Sequence, residues 1–163
     1  MSFFSQRVSR IQPSPTISIT AKAKKLKQEG KKIIDFSAGE PDFDTPNNVK
    51  EAAIQAIKDG QTKYTPVNGT KELIEAIIKK FKRENDLVFE PDEITVGCGG
   101  KQVIYNALVA TIEKGDEIII PAPFWVSYPD MALLVEGHPI VLDCSLENNF
   151  KINPQDLESK ITN

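Results

Sequence analysis

Between residues 95 and 102 the chain reads Thr95-Val-Gly-Cys-Gly-Gly-Lys-Gln102: an apolar strand end, a glycine-rich turn and the opening of a helix. A helix that starts at such a turn gathers unpaired N–H groups and the positive end of its dipole at one point, which favours an anion such as phosphate. The same turn serves equally well as a plain connection between strand and helix. Spacing excludes two nucleotide-binding patterns. Gly97 and Gly100-Lys101 stand too close for G-x-x-x-x-G-K, and Gln102 replaces the hydroxyl residue that would hold magnesium; G-x-G-x-x-G is not met either.

Two further segments carry groups suited to binding. Pro121-Ala-Pro-Phe-Trp-Val-Ser-Tyr-Pro129 follows an apolar strand, and ligands of parallel sheets lie outside the carboxyl ends of strands. Trp125, the only tryptophan, offers a flat indole for stacking on an aromatic ring; filling the core under a loop is the alternative. In Ala38-Gly-Glu-Pro-Asp-Phe-Asp-Thr-Pro46, the acids Glu40, Asp42 and Asp44 read as solvated or helix-capping rather than as a catalytic pair. Gly39 differs, because a glycine lets a ligand approach the backbone closely.

Other chemistries are disfavoured. His138 is the only histidine, so a His-dependent triad or zinc cluster is not expected, and its Gly137-His138-Pro139 context marks a surface turn. Cys98 and Cys144 form no C-x-x-C pair, which indicates a reducing compartment and no metal site. Hydrophobic residues at 40%, charged residues at 26% and a net charge of -3 describe a folded protein and no nucleic-acid binder. Lys22, Lys24, Lys25, Lys27, Lys31 and Lys32 are interleaved with apolar residues at helical spacing and read as a solvated face. No apolar stretch approaches the roughly 18 residues of a membrane span, and Met1-Ser-Phe-Phe-Ser-Gln-Arg lacks a secretory signal; the expected location is the cytoplasm.

Behind these segments lies an alternating pattern. Ser14-Pro15 opens a helix that Gly30 ends, and Ile33–Phe36 reads as a short strand. Thr45-Pro46 repeats the cap-plus-proline signal before a helix with Val49, Ala52, Ala53, Ala56 and Ile57 on one face, ending at Gly60. After Gly69 comes a third helix with the stripe Leu73, Ile74, Ile77, Ile78 and Phe81. The chain then predicts strand 93–96, helix 101–113, strand 117–121, helix 126–136 and strand 139–142, with 154–163 as the start of a further helix. Apolar strands alternating with helices give an α/β class: a three-layer α/β/α arrangement with a mostly parallel sheet.

Pro13-Ser14-x-Thr16, the 38–46 loop, Lys63-Tyr-Thr-Pro66 with Gly69, Gly99-Gly-Lys-Gln102 and Trp125-Val-Ser-Tyr-Pro129, in this order, resemble bacterial aspartate aminotransferases of the class I, fold-type I pyridoxal-phosphate group. The resemblance covers essentially the whole chain but only the N-terminal portion of the family's length. It implies residues 1–46 as an N-terminal arm and small-domain segment, and 47–163 as the incomplete first part of the large cofactor-binding domain. Pyridoxal 5'-phosphate is the implied cofactor, with Gly99, Gly100 and Lys101 cradling its phosphate, Trp125 stacked on its ring and Tyr64 reaching the phosphate of the other subunit in a homodimer. Gly39 would meet the substrate carboxylate through its backbone, Trp125 would help to hold the substrate, and Lys101, with Ser14 and Thr16 nearby, would recognise the distal carboxylate of aspartate or glutamate. Ala122-Pro123 matches a position that is often cis in the family.

The implied reaction, part of amino-acid biosynthesis, moves an amino group from L-aspartate to 2-oxoglutarate, so the small-molecule partners are an amino acid and a 2-oxo acid. Gln12 stands where relatives that also accept prephenate tend to carry lysine, and argues against that substrate. The family's cofactor-bearing lysine, the acidic partner of the pyridine nitrogen and the arginine for the α-carboxylate are expected beyond Asn163, so this chain alone would be inactive. Two rivals remain: a non-catalytic phosphate-binding or dimer-pairing module, and a related enzyme for aromatic or branched substrates, which Lys101 disfavours. A downstream continuation into Asn-x-Pro and Ser-x-x-Lys would separate the enzyme from the module.

Overall fold

The structure, a computed structural model, describes residues 3–162, so Met1, Ser2 and Asn163 lie outside the described residues. In chain order the helices are α1 (Pro15–Gln28), α2 (Asn47–Lys58), α3 (Lys71–Asn85), α4 (Gly100–Thr111), α5 (Ser127–Leu134) and α6 (Pro154–Glu158). The strands are β1 (Glu117–Ala122) and β2 (His138–Asp143), and short 3-10 turns occupy Val8–Arg10, Pro91–Glu93 and Leu146–Asn148. The chain forms two compact units: Met1–Ala38 with Ile104–Asn163, and Gly39–Val103.

In the first unit β1 and β2 pair in parallel, Ile119 opposite Ile140 and Ile120 opposite Val141. Parallel strands need a crossover, which α5 supplies. Ile120, Leu142, Met131, Ala132 and Cys144 are buried together in this unit. Burying a side chain such as Ile120 or Leu142 contributes about 1.5–3 kcal/mol. α1 starts as expected with Pro15 at its first position, although the Ser14 side chain makes no cap bond. Its end closes through Gly30 N–H to Lys27 O at 3.0 Å and Lys31 N–H to Leu26 O at 3.1 Å, a Schellman pair. His138 begins β2 and is exposed, its N–H donated to Asp116 O at 2.7 Å.

In the second unit α3 starts at an N-cap, Thr70, whose Oγ1 accepts from Leu73 N–H at 3.3 Å. Its stripe buries Ile74 and half-buries Ile77, Ile78 and Phe81, with the Phe81 ring edge-on to Phe89 at 5.3 Å. Leu73 stays exposed. α2 begins at Asn47 rather than at Pro46; the proline occupies the cap position itself, and no side chain caps the helix.

Three expected elements differ. Residues 33–36 form no strand, because an extended segment becomes a strand only with a ladder partner and none is present among the described residues. Residues 93–96 form none either. Glu93 sits in the 3-10 turn, its carboxylate accepting Glu90 N–H at 2.8 Å, and the extended residues after it are tied by one backbone bond, Val96 N–H to Asn68 O at 3.0 Å. The C-terminal helix, capped by Asn153, ends at Glu158 instead of running on, its last turn tightened by Lys160 N–H to Leu157 O at 3.0 Å. The class is α/β as expected, with the parallel sheet limited to two strands.

Asp35 is held at the end of the segment after α1. Its carboxylate accepts from the Ser37 hydroxyl at 2.6 Å, the Ser37 amide at 3.0 Å and Lys27 Nζ at 2.9 Å. The Ser37 bonds and then the Lys27 ammonium keep this carboxyl well below the usual carboxylate range. A depressed folded-state value means stability that is present above the ordinary value of 3.8 and is lost as pH falls below it. Asp35→Asn in the complete protein is therefore expected to lower the urea midpoint at pH 7, with the gap to the wild type shrinking as pH drops below 3.8. An equal gap at both ends of that range would show that the clamp contributes nothing as a charge.

Candidate functional site

The glycine turn before α4 is built from its own backbone. Gly99 adopts φ +87°, the left-handed region, and its N–H donates to Gly97 O at 2.9 Å. This differs from the expectation that the Gly99 amide faces outward: the tight turn takes that donor for itself. Gly99 O in turn accepts from Gln102 N–H at 3.2 Å and Val103 N–H at 3.4 Å, while the Gln102 side-chain oxygen accepts Cys98 N–H. Gly100 opens α4, and its N–H meets no protein acceptor among the described residues. Residues 97–101 are all exposed, and the space where a Cβ would stand at Gly99 or Gly100 is open to 4 Å. An anionic group fits here, at a helix start with an unsatisfied donor and no side chain in the way.

The remaining candidates of this unit are accessible. Gly39 is exposed, with open space around its Cα. Tyr64 is fully exposed and makes no hydrogen bond or ring contact among the described residues. Lys101, the second residue of α4, is exposed.

The other unit holds Ser14, Thr16 and Trp125. Ser14 and Thr16 are half-buried at the start of α1. Thr16 lines a mostly apolar groove of about 590 Å³ together with Pro15, Ile19, Lys22, Phe36 and Val126. Trp125 follows the carboxyl end of β1, between the cis Ala122–Pro123 bond and α5, and its carbonyl accepts Tyr128 N–H at 3.0 Å. At 48% exposure it is not a core filler. The structure thus groups Gly39, Tyr64 and Gly99–Lys101 in one unit and Ser14, Thr16 and Trp125 in the other. Sequence reasoning treated Gln102 only as the end of a motif; its signal was a long amide side chain within one helical turn of the glycines.

No group of histidine, cysteine, aspartate and glutamate side chains suited to a metal occurs among the described residues. No helix among them is long and apolar enough to cross a membrane.

Fold and site together define a chain of the aminotransferase class I and II family, whose family model matches residues 31–163; the chain belongs to this family. It is 60% identical over 158 residues to the aspartate/prephenate aminotransferase of Nitrosomonas europaea, covering 97% of this chain and 40% of that protein. The probable aspartate/prephenate aminotransferase of Rickettsia conorii is 57% identical over 162 residues, 99% of this chain and 40% of its own length. Among solved structures, the aspartate aminotransferase of Rhizobium meliloti superposes with a TM-score of 0.92 at 47% identity, over 99% of this chain and 40% of that one. That of Thermus thermophilus with maleate gives 0.92 at 42% identity, over 99% and 42%. The chain therefore has the fold of the type I aminotransferases and spans about two fifths of the length of these relatives.

The turn makes a specific demand. A side chain at Gly99 has room, so its cost lies in the backbone conformation, φ +87°. Gly99→Val in the complete protein is expected to lose about 1–2 kcal/mol of stability from this strain. Urea unfolding checks it, and an unchanged midpoint would mean that the left-handed turn is not held.

Proposed function

We propose that the complete protein is a pyridoxal 5'-phosphate-dependent aspartate aminotransferase, moving an amino group from L-aspartate to 2-oxoglutarate. The observation that carries this reading is the start of α4, where Gly100 N–H stands without a protein acceptor beside two glycines that leave the space open. In a chain of this family, that is a place for the cofactor phosphate. When bound, the cofactor supplies an electron sink for the carbon that loses or gains the amino group.

The roles of this chain's own residues follow. Gly100 would hold the phosphate by its backbone donor and the helix dipole and Lys101 by its charge, while Gly99 would keep the space before them clear of a side chain. Trp125, half-exposed after β1, would stack on the ring and shield one face of it from water. Gly39 would offer its backbone to the substrate carboxylate. Lys101, with Ser14 and Thr16, would favour a second, distal carboxylate. Tyr64, wholly exposed in this chain, suits contact with the phosphate site of a second subunit, hence a homodimer. Residues 1–46 would then serve as arm and small-domain segment and 47–163 as part of the large domain, in a cytoplasmic enzyme of amino-acid biosynthesis.

A second reading concerns prephenate. The relatives from Nitrosomonas europaea and Rickettsia conorii carry that substrate in their names, while Gln12 argues against it here. Aspartate is favoured as the amino donor. A non-catalytic phosphate-binding or dimer-pairing module is the alternative from another class.

The test is transfer between aspartate and 2-oxoglutarate by the complete protein, with prephenate as a second acceptor. Trp125→Ala should weaken cofactor and substrate binding together, by about 1–3 kcal/mol from lost stacking and burial. Unchanged kinetics in that variant would contradict the role of the indole. Residues 1–163 expressed alone are expected to show no turnover and to bind a dye for exposed apolar surface. Ile34, Phe36, Ile57 and Val109 are all more than half exposed. A cooperative melt with measurable turnover would overturn that expectation.

A further inference from the structure

We infer that Gln102 is a positioning residue that sets the phosphate-facing turn, an assignment that rests on the reading of the α4 start as a phosphate site. One residue closes both sides of the turn. Its side-chain Oε1 accepts Cys98 N–H, ahead of Gly99, and its backbone N–H donates to Gly99 O at 3.2 Å. With Gly99 N–H already given to Gly97 O, these bonds engage the donors of residues 98 and 99 inside the protein. Gly100 N–H, the next in line, is left without a protein acceptor among the described residues, beside the open space at Gly99 and Gly100.

Gly97 belongs to the same device. A Cβ there would stand 3.0 Å from Gln102 Oε1 and 2.8 Å from Val103 Cγ2, so any larger residue displaces the amide from Cys98. Gly97 has no left-handed φ, so the need for glycine is room for Gln102 rather than backbone conformation. Without the Gln102 oxygen, Cys98 N–H has no partner in the turn and competes for the anion from a different direction. The backbone then samples arrangements in which Gly100 N–H no longer faces the phosphate. Gln102 touches no reacting atom in this scheme; it acts through the turn.

The experiment compares two probes on the complete protein freed of cofactor: pyridoxal 5'-phosphate and pyridoxal, which lacks the phosphate. Dissociation constants come from absorbance or quenching titrations, with thermal midpoints measured alongside. Gln102→Met keeps the volume and removes the acceptor. It is expected to weaken pyridoxal 5'-phosphate by about tenfold while shifting pyridoxal by less than about twofold, the size of one lost hydrogen-bond anchor to a charged group. Equal losses for both probes, or no loss for either, would overturn the positioning role. Should Gln102→Met fail to fold, Gly97→Ala carries the same expectation, since it displaces the amide without deleting it. Where both variants fold, combining them should add little to either alone. A wild-type protein that does not prefer the phosphorylated probe would instead remove the phosphate site itself, a failure distinct from that of Gln102.

Discussion

Two parallel strands cannot be joined by a hairpin, and this constraint organises the unit that contains β1 and β2. The chain leaving β1 must travel back along the strand before β2 can run beside it, and α5 makes that return. The crossover buries Met131 and Ala132 in the same core as Ile120 and Leu142. It also sets what stands at the carboxyl end of β1. The loop with the cis Ala122–Pro123 bond leaves the strand there, and Cys144 N–H bonds Ala122 O at 2.9 Å just past β2. Trp125 is thereby placed at the sheet edge where α/β proteins bind their ligands, exposed enough to offer its face.

The same physics explains the amount of open apolar surface. A parallel sheet is stable when helices cover both faces and neighbouring strands fill its edges. Here the sheet has two strands, and Val141 on β2 and Val109 on α4 remain exposed. Such a surface suits a chain that matches about two fifths of its relatives' length.

At the turn before α4, selectivity between donors arises from competition within the backbone. The chain turns at Cys98 and brings the Gly99 amide back onto Gly97 O, so Gly99 is not a free donor, and its left-handed φ then sends the chain into α4. The helix geometry leaves the next N–H unsatisfied, and the absence of side chains at Gly99 and Gly100 keeps water or an anion within reach of it. Flexible glycine is needed here, yet the turn is held in one form by hydrogen bonds to residue 102.

The helices were legible in the sequence because their signals are local. Proline at the start of α1, glycine after α1 and α2, Gly69 ahead of α3 and the stripe around Ile74 each act within a turn or two of chain. β1 and β2 were legible because their apolar runs and turn residues are strong and their partner lies close in sequence. The glycine turn, Trp125 and the order of motifs likewise pointed to the family without coordinates. Residues 33–36 and 93–96 misled, because their composition is strand-like whereas a strand exists only where a partner offers a ladder. Only the folded structure decided that Gly99 turns its amide inward, that the Gln102 oxygen takes Cys98 N–H, and that Asp35 is clamped between Ser37 and Lys27. Those outcomes depend on distances of tenths of an ångström between groups whose types, but not directions, are written in the chain.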